Sequence, residues 1–290
     1  MTTIDESLIQ QFESLLTSAA PLGRQKEQVV QDFLEQHTEF IPTPNLLNHH
    51  LHFECVVSKF PLGTELTTDY LYITKSSDVW RVTLVELENP DKAIFNADTQ
   101  RVNASAEFNA AMSQVRSWKL FLEENRGEVI RKLEPLLQPL SMRSNPVEFN
   151  FQLIMGRSTN KNLTPERKKH FQKITTDSDV NIITFDQVIS WYRNSPRFQK
   201  LVLRLSGLHF AFKHMHFEPT QILSYVGPDR LRLTEGERAR LRQSGYEIDK
   251  WSRGDLLTFN HKYAASTWDE AVKNGTIFSF PIRSPGSADA

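Results

Sequence analysis

The sequence predicts an α/β fold, in which a mixed β-sheet is flanked by helices and carries a helical N-terminal segment and a basic α+β C-terminal appendage. Three observations predict it. Apolar residues recur at helical spacing over the first 40 residues, strand-like apolar runs follow up to residue 87, and helix and strand patterns then alternate up to residue 185. The predicted segments are residues 1–48, 49–195 and 196–290.

The N-terminal segment is predicted to contain two amphipathic helices. In each, apolar residues stand one, three or four positions apart, which places them on one helix face. Prolines follow both stretches and end them. The apolar positions are Ile9, Phe12, Leu15 and Leu16 in the first helix and Val29, Val30, Phe33 and Leu34 in the second. We expect both helices to pack against the sheet.

Three strands are predicted next, at residues 51–60, 69–73 and 80–87, because these runs are rich in β-branched and aromatic residues. Ser76 and Ser77 provide a turn between the second strand and the third. Strands joined by such short connections pair as an antiparallel meander.

The remaining sequence switches between helical and strand-like patterns. Helices are predicted at residues 106–124, 127–137 and 164–173, and strands at residues 149–155 and 181–185. Residues 201–213 fit either a strand or a helix. Further on, we expect a capping box at residues 234–237, a basic helix at 238–242, a short helix at 267–273 and a disordered tail from Ser284.

Composition indicates a globular protein of the cytoplasm. The chain is 39% hydrophobic and 24% charged, with no apolar run long enough for a membrane span. The N-terminus lacks the basic and apolar regions of a signal peptide. A single cysteine, Cys55, excludes an internal disulfide framework and fits a reducing compartment. Cys55 lies in an apolar run and is expected to be a small buried residue.

The net charge of −1 hides an asymmetry between the two halves of the chain. Residues 1–150 contain 13 Lys and Arg against 21 Asp and Glu, whereas residues 151–290 contain 21 against 14. An acidic first half and a basic second half suit a protein that holds cations in one region and meets a polyanion with another, although solvated charged faces give the same pattern.

The residues best suited to chemistry are the carboxylates at the end of the third predicted strand. Strand alternation places Glu86 and Glu88 on the same side, ~7 Å apart, on the face that Val82 and Leu84 extend as apolar residues. Buried like charges lose hydration and repel each other, so they need cations or hydrogen bonds. Asp69 precedes the neighbouring strand. Three acids at adjacent strand ends predict a site for a hard cation, Mg²⁺ or Mn²⁺.

These acids, followed by Gln114 on a helix, resemble the core of the PD-(D/E)XK nucleases, and the wider pattern resembles the Shedu anti-phage defence proteins. The stretches that carry the resemblance are QDFLE at 31–35, TDY at 68–70, VELENP at 85–90, QVRSW at 114–118, MGR at 155–157 and ITFD at 183–186. The resemblance implies a restriction-endonuclease-like sheet, with Asp69 and Glu86 as metal ligands and Gln114 near them.

The sequence departs from the nuclease signature at its third position, where Glu88 replaces the usual lysine. Three explanations are open. Glu88 is a third ligand in a more acidic site that holds two metals; or a lysine reaches in from elsewhere, with Lys75, Lys92 and Lys119 as candidates; or the site binds nucleic acid without cutting it.

Basic residues in the second half are candidates for phosphate contacts. Arg157 follows Gly156 at a strand end, Lys168 and Lys169 lie in a basic helix, and Arg193 follows the last predicted core strand. No sequence-reading motif accompanies them, so contact with DNA through its backbone is expected.

The leading hypothesis is therefore a Mg²⁺- or Mn²⁺-dependent endonuclease of Shedu type that hydrolyses DNA phosphodiester bonds in anti-phage defence. A homo-oligomer is expected, because two sites cut two strands most simply, and no membrane partner is expected. The alternative is a non-cleaving module that binds nucleic acid or DNA ends with a degenerate nuclease site.

Overall fold

The computed structural model describes residues 4–98 and 101–257. The chain divides into two compact units. The first contains the described residues up to 219 together with 230–232, and the second contains residues 220–229 and 233–257. The helix expected at 267–273 and the tail from Ser284 lie outside the described residues.

The first unit is built on a mixed sheet, in which eight strands of the described chain pair in the order β5-β4-β3-β2-β1-β6-β7-β8. The strands are β1 (Cys55–Ser58), β2 (Tyr70–Lys75), β3 (Trp80–Leu87), β4 (Val147–Ile154), β5 (Val180–Ile183), β6 (Leu201–Ser206), β7 (His209–His214) and β8 (Leu231–Arg232). The predicted α/β fold with a mixed sheet is confirmed.

Helices precede the sheet and connect its strands. Those of the first unit are α1 (Glu6–Thr17), α2 (Lys26–Gln36), α3 (Ala106–Leu133), α4 (Ser158–Lys161), α5 (Pro165–Asp177) and α6 (Phe185–Asn194), and those of the second are α7 (Glu235–Gln243) and α8 (Ile248–Ser252). The helical N-terminal segment is therefore confirmed.

One core lies between the sheet and the helices α1, α2 and α6. It includes Phe12 of α1, Leu34 of α2 and Val188 of α6, all of them fully buried. Tyr70 of β2 and Val85 of β3 face them from the sheet. The N-terminal helices thus cover one face of the sheet, as their apolar stripes predict.

The predicted meander is also confirmed, since β2 pairs antiparallel with both β1 and β3. On the far side of β3 the pairing is parallel, to β4 and then β5. The strand β1 begins four residues later than expected. Residues 52–54 form a short 3-10 turn instead, in which Phe53 and Glu54 have positive φ angles of 53° and 52°.

The helix α3 differs from the two helices predicted at 106–124 and 127–137. It runs from Ala106 to Leu133 across the expected break, with one non-helical residue, Asn125, at φ −116° and ψ 19°, and a 3-10 turn follows at Glu134–Leu136. The apolar stripe continues across this kink to the buried Val129 and Leu133. Because the same helix face stays buried on both sides, packing keeps the chain helical.

Residues 201–213, for which strand and helix were both open, form most of the antiparallel hairpin β6–β7. The strand β6 pairs in parallel with β1, so the hairpin extends the sheet. The chain divides into its two units near residue 219, so this hairpin belongs to the first unit. Hydrogen bonding between strands distant in sequence holds it there, and no local pattern reveals that pairing.

The second unit contains the predicted capping box. The Thr234 side chain accepts from the Glu237 backbone N–H, and the Glu237 carboxylate accepts from the Thr234 N–H at 2.7 Å. The helix α7 ends before Gly245, whose φ of +84° suits glycine. In the same unit, the buried Trp251 indole donates to the Val226 carbonyl at 3.0 Å.

Neither a membrane helix nor an accessible thiol is found in the described chain. Of the helices within residues 4–98 and 101–257, none is both long and apolar enough to cross a bilayer. The Cys55 side chain is buried, as expected, and its Sγ contacts the His52 carbonyl oxygen at 3.5 Å. Burial, with a smaller effect of Glu54, raises the pKa of the Cys55 thiol to about 12, which leaves it unreactive.

Candidate metal centre

The three predicted carboxylates lie at one edge of the sheet. Asp69 directly precedes β2, Glu86 is near the end of β3, and Glu88 follows that strand. The Asp69 N–H donates to the Val85 carbonyl at 3.1 Å, which continues the β2–β3 ladder and sets Asp69 opposite Glu86. The Glu88 N–H donates to the Ile154 carbonyl at 2.9 Å and so extends the pairing with β4.

All three acids are buried, with 4%, 5% and 7% of Asp69, Glu86 and Glu88 exposed. Val82 and Leu84, which strand alternation places on the face of Glu86, are fully buried. Glu86 and Glu88 therefore lie on a buried face of the sheet and not on a solvated edge.

Asp69 is held by two groups. Its Oδ2 accepts from the Leu87 N–H at 2.7 Å, and its Oδ1 pairs with the ammonium of Lys59. Burial raises the pKa of Asp69, although Lys59 and the Leu87 N–H act in the opposite direction. The carboxylate is thus oriented by the strand backbone and neutralised by a lysine.

Glu86 is the unusual member of the cluster. Its Oε2 is buried and has no hydrogen-bond partner among the described residues. Burial, followed by the charges of Asp69, Glu88 and Glu27, raises the pKa of Glu86 to about 10. In the absence of a bound cation, Glu86 is therefore protonated at neutral pH.

Glu88 pairs with Lys92, four residues further on. Glu27, in the first turn of α2, belongs to the same electrostatic cluster: burial and the charges of Asp69 and Glu88 raise its pKa. The site therefore gathers four carboxylates and two ammonium groups, with a net excess of acid.

Sequence reasoning missed Glu27 and Lys59. Glu27 lies 42 positions before Asp69 and reaches the site through the packing of α2. The apolar stripe of α2 predicts that the helix packs on the sheet, but not that its first turn lies beside Asp69. The sequence does contain a signal for the position of Lys59. This residue follows β1, and in an antiparallel meander the end of the first strand lies beside the start of the second.

The three lysines proposed to replace the motif lysine have different positions. Lys92 reaches the cluster through Glu88. Lys75 pairs with Trp80 at the opposite end of β2, about 20 Å along the strand from Asp69. Lys119 pairs with Asp179 and lies 4.9 Å from the Phe151 ring centroid. Of the candidates, Lys92 alone contacts one of the three predicted carboxylates.

Gln114 lies on the exposed side of α3. In the described residues, no hydrogen bond links it to Asp69, Glu86 or Glu88, so its place beside the metal ligands stays a prediction.

Within residues 4–98 and 101–257, no three His, Cys, Asp or Glu side chains are preassembled to hold a metal ion. Asp69 and Glu88 each hold a lysine ammonium instead. The donor chemistry nevertheless fits Mg²⁺ or Mn²⁺, which bind carboxylate oxygens. The buried, unpartnered Oε2 of Glu86 is an oxygen that a cation would satisfy.

The predicted phosphate contacts fall into two groups. Arg157 and Arg193 are engaged in ion pairs, with Asp186 at 2.8 Å and with Glu6 at 2.9 Å. Lys168 and Lys169 are exposed on α5. A nucleic-acid role for Arg157 is weakened because its guanidinium binds Asp186 through two nitrogens, whereas the two lysines remain accessible.

We predict that Asp186→Asn destabilises the first unit by about 1 kcal/mol at pH 7. Burial opposes the charge on Asp186, but Arg157 and the Ser158 N–H outweigh it and lower the pKa. A lowered pKa stabilises the fold above the ordinary value of 3.8, so the difference should shrink as the pH falls below that value. Urea unfolding of the variant and the wild type at pH 7 and pH 3 measures this difference. Equal stability of the two proteins at pH 7 contradicts a stabilising ion pair between Asp186 and Arg157.

The fold and the site define a class of protein: an α/β protein that gathers buried carboxylates at the ends of adjacent strands. The family model described as "Shedu protein SduA, C-terminal" matches residues 24–189, more than half of the chain. The matched segment includes α2, the strands β1 to β5 and all four carboxylates. The chain belongs to the Shedu family, and this membership supports a role in anti-phage defence. Among curated proteins, none matches the sequence significantly.

Proposed function

We propose that the protein is a divalent-metal-dependent endonuclease of Shedu type that hydrolyses DNA phosphodiester bonds in anti-phage defence. One observation carries the proposal. Asp69 and Glu86 stand opposite each other on adjacent strands, both buried, and an oxygen of Glu86 lacks a partner among the described residues. Such a pair is stable when a cation binds between the carboxylates.

Asp69 and Glu86 would hold the cation, Mg²⁺ or Mn²⁺, with Glu88 as a third ligand. A divalent cation bound there supplies an activated water and a positive charge beside the phosphate. The chain supplies the positioning: the Leu87 N–H fixes the orientation of Asp69, and β3 fixes that of Glu86. The exposed Lys168 and Lys169 provide charge for the DNA backbone. We also propose a homo-oligomer, which brings two sites to the two strands of a duplex.

Cleavage assays test the proposal. Supercoiled and linear DNA are incubated with the purified protein and Mg²⁺ or Mn²⁺, beside Glu86→Gln and the exposed control Glu123→Gln. We expect nicking or linearisation by the wild type and Glu123→Gln, and a loss of at least ~100-fold in Glu86→Gln, because the site loses a ligand. Cutting by Glu86→Gln at the wild-type rate contradicts the assignment of the site.

A second candidate function is a nucleic-acid or DNA-end binding module that does not cut. The ion pairs of Asp69 with Lys59 and of Glu88 with Lys92 favour it, because they satisfy two carboxylates without a metal. The same assay separates the two functions: DNA binding with no cutting on any substrate, with either metal, supports the module.

A further inference from the structure

Lys59 occupies the edge of the sheet at which β1 ends, β2 begins and β3 ends. Its ammonium pairs with Asp69 and lies within electrostatic reach of Glu86 and Glu27. About half of the side chain, 49%, is exposed. Lys59 therefore connects the two buried acids to solvent, from which a substrate phosphate would approach.

The backbone of Lys59 is held in a conformation that a lysine rarely adopts, with a φ of +49°. Its N–H donates to the Asp69 carbonyl at 2.9 Å. The preceding residue, Ser58, donates its hydroxyl to the buried Glu35 carboxylate at 2.6 Å. Anchors on the residue and on its neighbour over-determine this strained geometry, and strain of this kind concentrates at functional sites.

Lys92 faces a different part of the cluster. It pairs with Glu88, and its other electrostatic neighbours are Glu27 and Glu107. The two lysines thus lie beside different acids. Lys59 lies beside the Asp69–Glu86 pair, and Lys92 lies beside Glu88, the residue that replaces the motif lysine.

We propose that Lys59 supplies the cationic side chain that position 88 lacks, binding the substrate phosphate and offsetting the charge that grows on it during cleavage. The inference rests on the proposed function. In the hydrolysis, the water oxygen bonds to phosphorus and the phosphorus–ester oxygen bond breaks. The water proton leaves to solvent, and the departing oxygen takes up a proton from solvent. Lys59 remains protonated throughout, and Lys92 neutralises Glu88.

Matched lysine variants test this assignment. Lys59→Met is expected to reduce single-turnover cleavage by at least ~100-fold, the usual effect of removing one such donor. Lys75→Met, at the opposite end of β2 and about 20 Å along the strand from Asp69, should stay within about 5-fold of the wild type. Lys59→Arg, which keeps the charge, should recover part of the activity. Wild-type cleavage by Lys59→Met, or an equal loss in Lys75→Met, overturns the proposal.

Binding measurements supply a readout that does not depend on cutting. In Ca²⁺, Lys59→Met should weaken DNA binding and reduce the slope of log Kd against log salt by about 0.9, the value for one phosphate contact. Lys75→Met, at the far end of β2, should leave the slope unchanged. An inactive wild type defeats the proposed endonuclease, whereas an unchanged salt slope in Lys59→Met defeats the assignment of Lys59. Thermal melting verifies that each variant is folded. If Lys59→Met does not fold, Lys59→Arg is compared with the wild type instead.

Discussion

Glu86→Gln should stabilise the metal-free protein at pH 7 by about 1–3 kcal/mol. A buried carboxyl whose Oε2 has no partner in the described residues, beside Asp69, Glu88 and Glu27, keeps its proton in the folded state. In the unfolded chain it ionises with the ordinary pKa of 4.5. Folding must then return a proton to it, and glutamine removes this cost while keeping nearly the same shape.

The pH dependence has a definite sign. Because the pKa of Glu86 rises from 4.5 to about 10 on folding, the folded state binds more protons than the unfolded state between these values. The stability of the wild type therefore falls as the pH rises through this window. The difference in stability between Glu86→Gln and the wild type should be near zero at pH 4 and increase as the pH rises.

Urea unfolding in EDTA measures the difference, with Glu123→Gln as the exposed control. Excess Mn²⁺ should reverse the order by stabilising the wild type, by about 4.1 kcal/mol at about a thousand times the Kd. A Glu86→Gln variant that is less stable than the wild type in EDTA at pH 7 contradicts this account of the site.

Glu35→Ala is expected to lower the free energy of unfolding by about 3–5 kcal/mol. The Glu35 side chain is fully buried on α2, and its Oε1 accepts from the Ser58 hydroxyl at 2.6 Å and the Gln31 amide at 3.2 Å. The Lys213 ammonium lies 2.5 Å from Oε2. Alanine leaves a cavity and removes the acceptor of two buried donors.

Glu35→Gln is the matched control, because its carbonyl oxygen still accepts from Ser58 while the charge toward Lys213 is lost. We expect this variant to lose about 1–2 kcal/mol. Denaturant unfolding separates the two effects. Equal losses in both variants indicate that the ion pair with Lys213 dominates, and a loss below ~1 kcal/mol in Glu35→Ala contradicts the buried network.

Local patterns predicted the parts of the fold in which sequence neighbours are also neighbours in space. The period of two in β3 predicted that Glu86 and Glu88 share a buried face, and the short turn at Ser76 predicted the β2–β3 pairing. The prediction that Asp69 is a metal ligand rested on the family resemblance as much as on its position before a strand.

The parts that were missed depend on contacts between distant segments. The pairing of β6 with β1 joins Val202 to Val56, 146 positions apart. Glu27 reaches the acids because α2 packs on the sheet, where Tyr70 donates to the Gln31 carbonyl. The apolar stripe of α2 predicts that this helix packs on the sheet, but no periodicity within a segment predicts which distant residues it meets.

Anomalous scattering from crystals soaked in Mn²⁺ tests most directly whether Asp69 and Glu86 bind a divalent cation. We predict a peak about 2.0–2.4 Å from an oxygen of each residue. The Lys59 ammonium should be displaced from Asp69, and the peak should be absent from Glu86→Gln crystals. A wild-type site without a peak at saturating Mn²⁺, or a peak that remains in Glu86→Gln, would contradict a metal centre at these carboxylates.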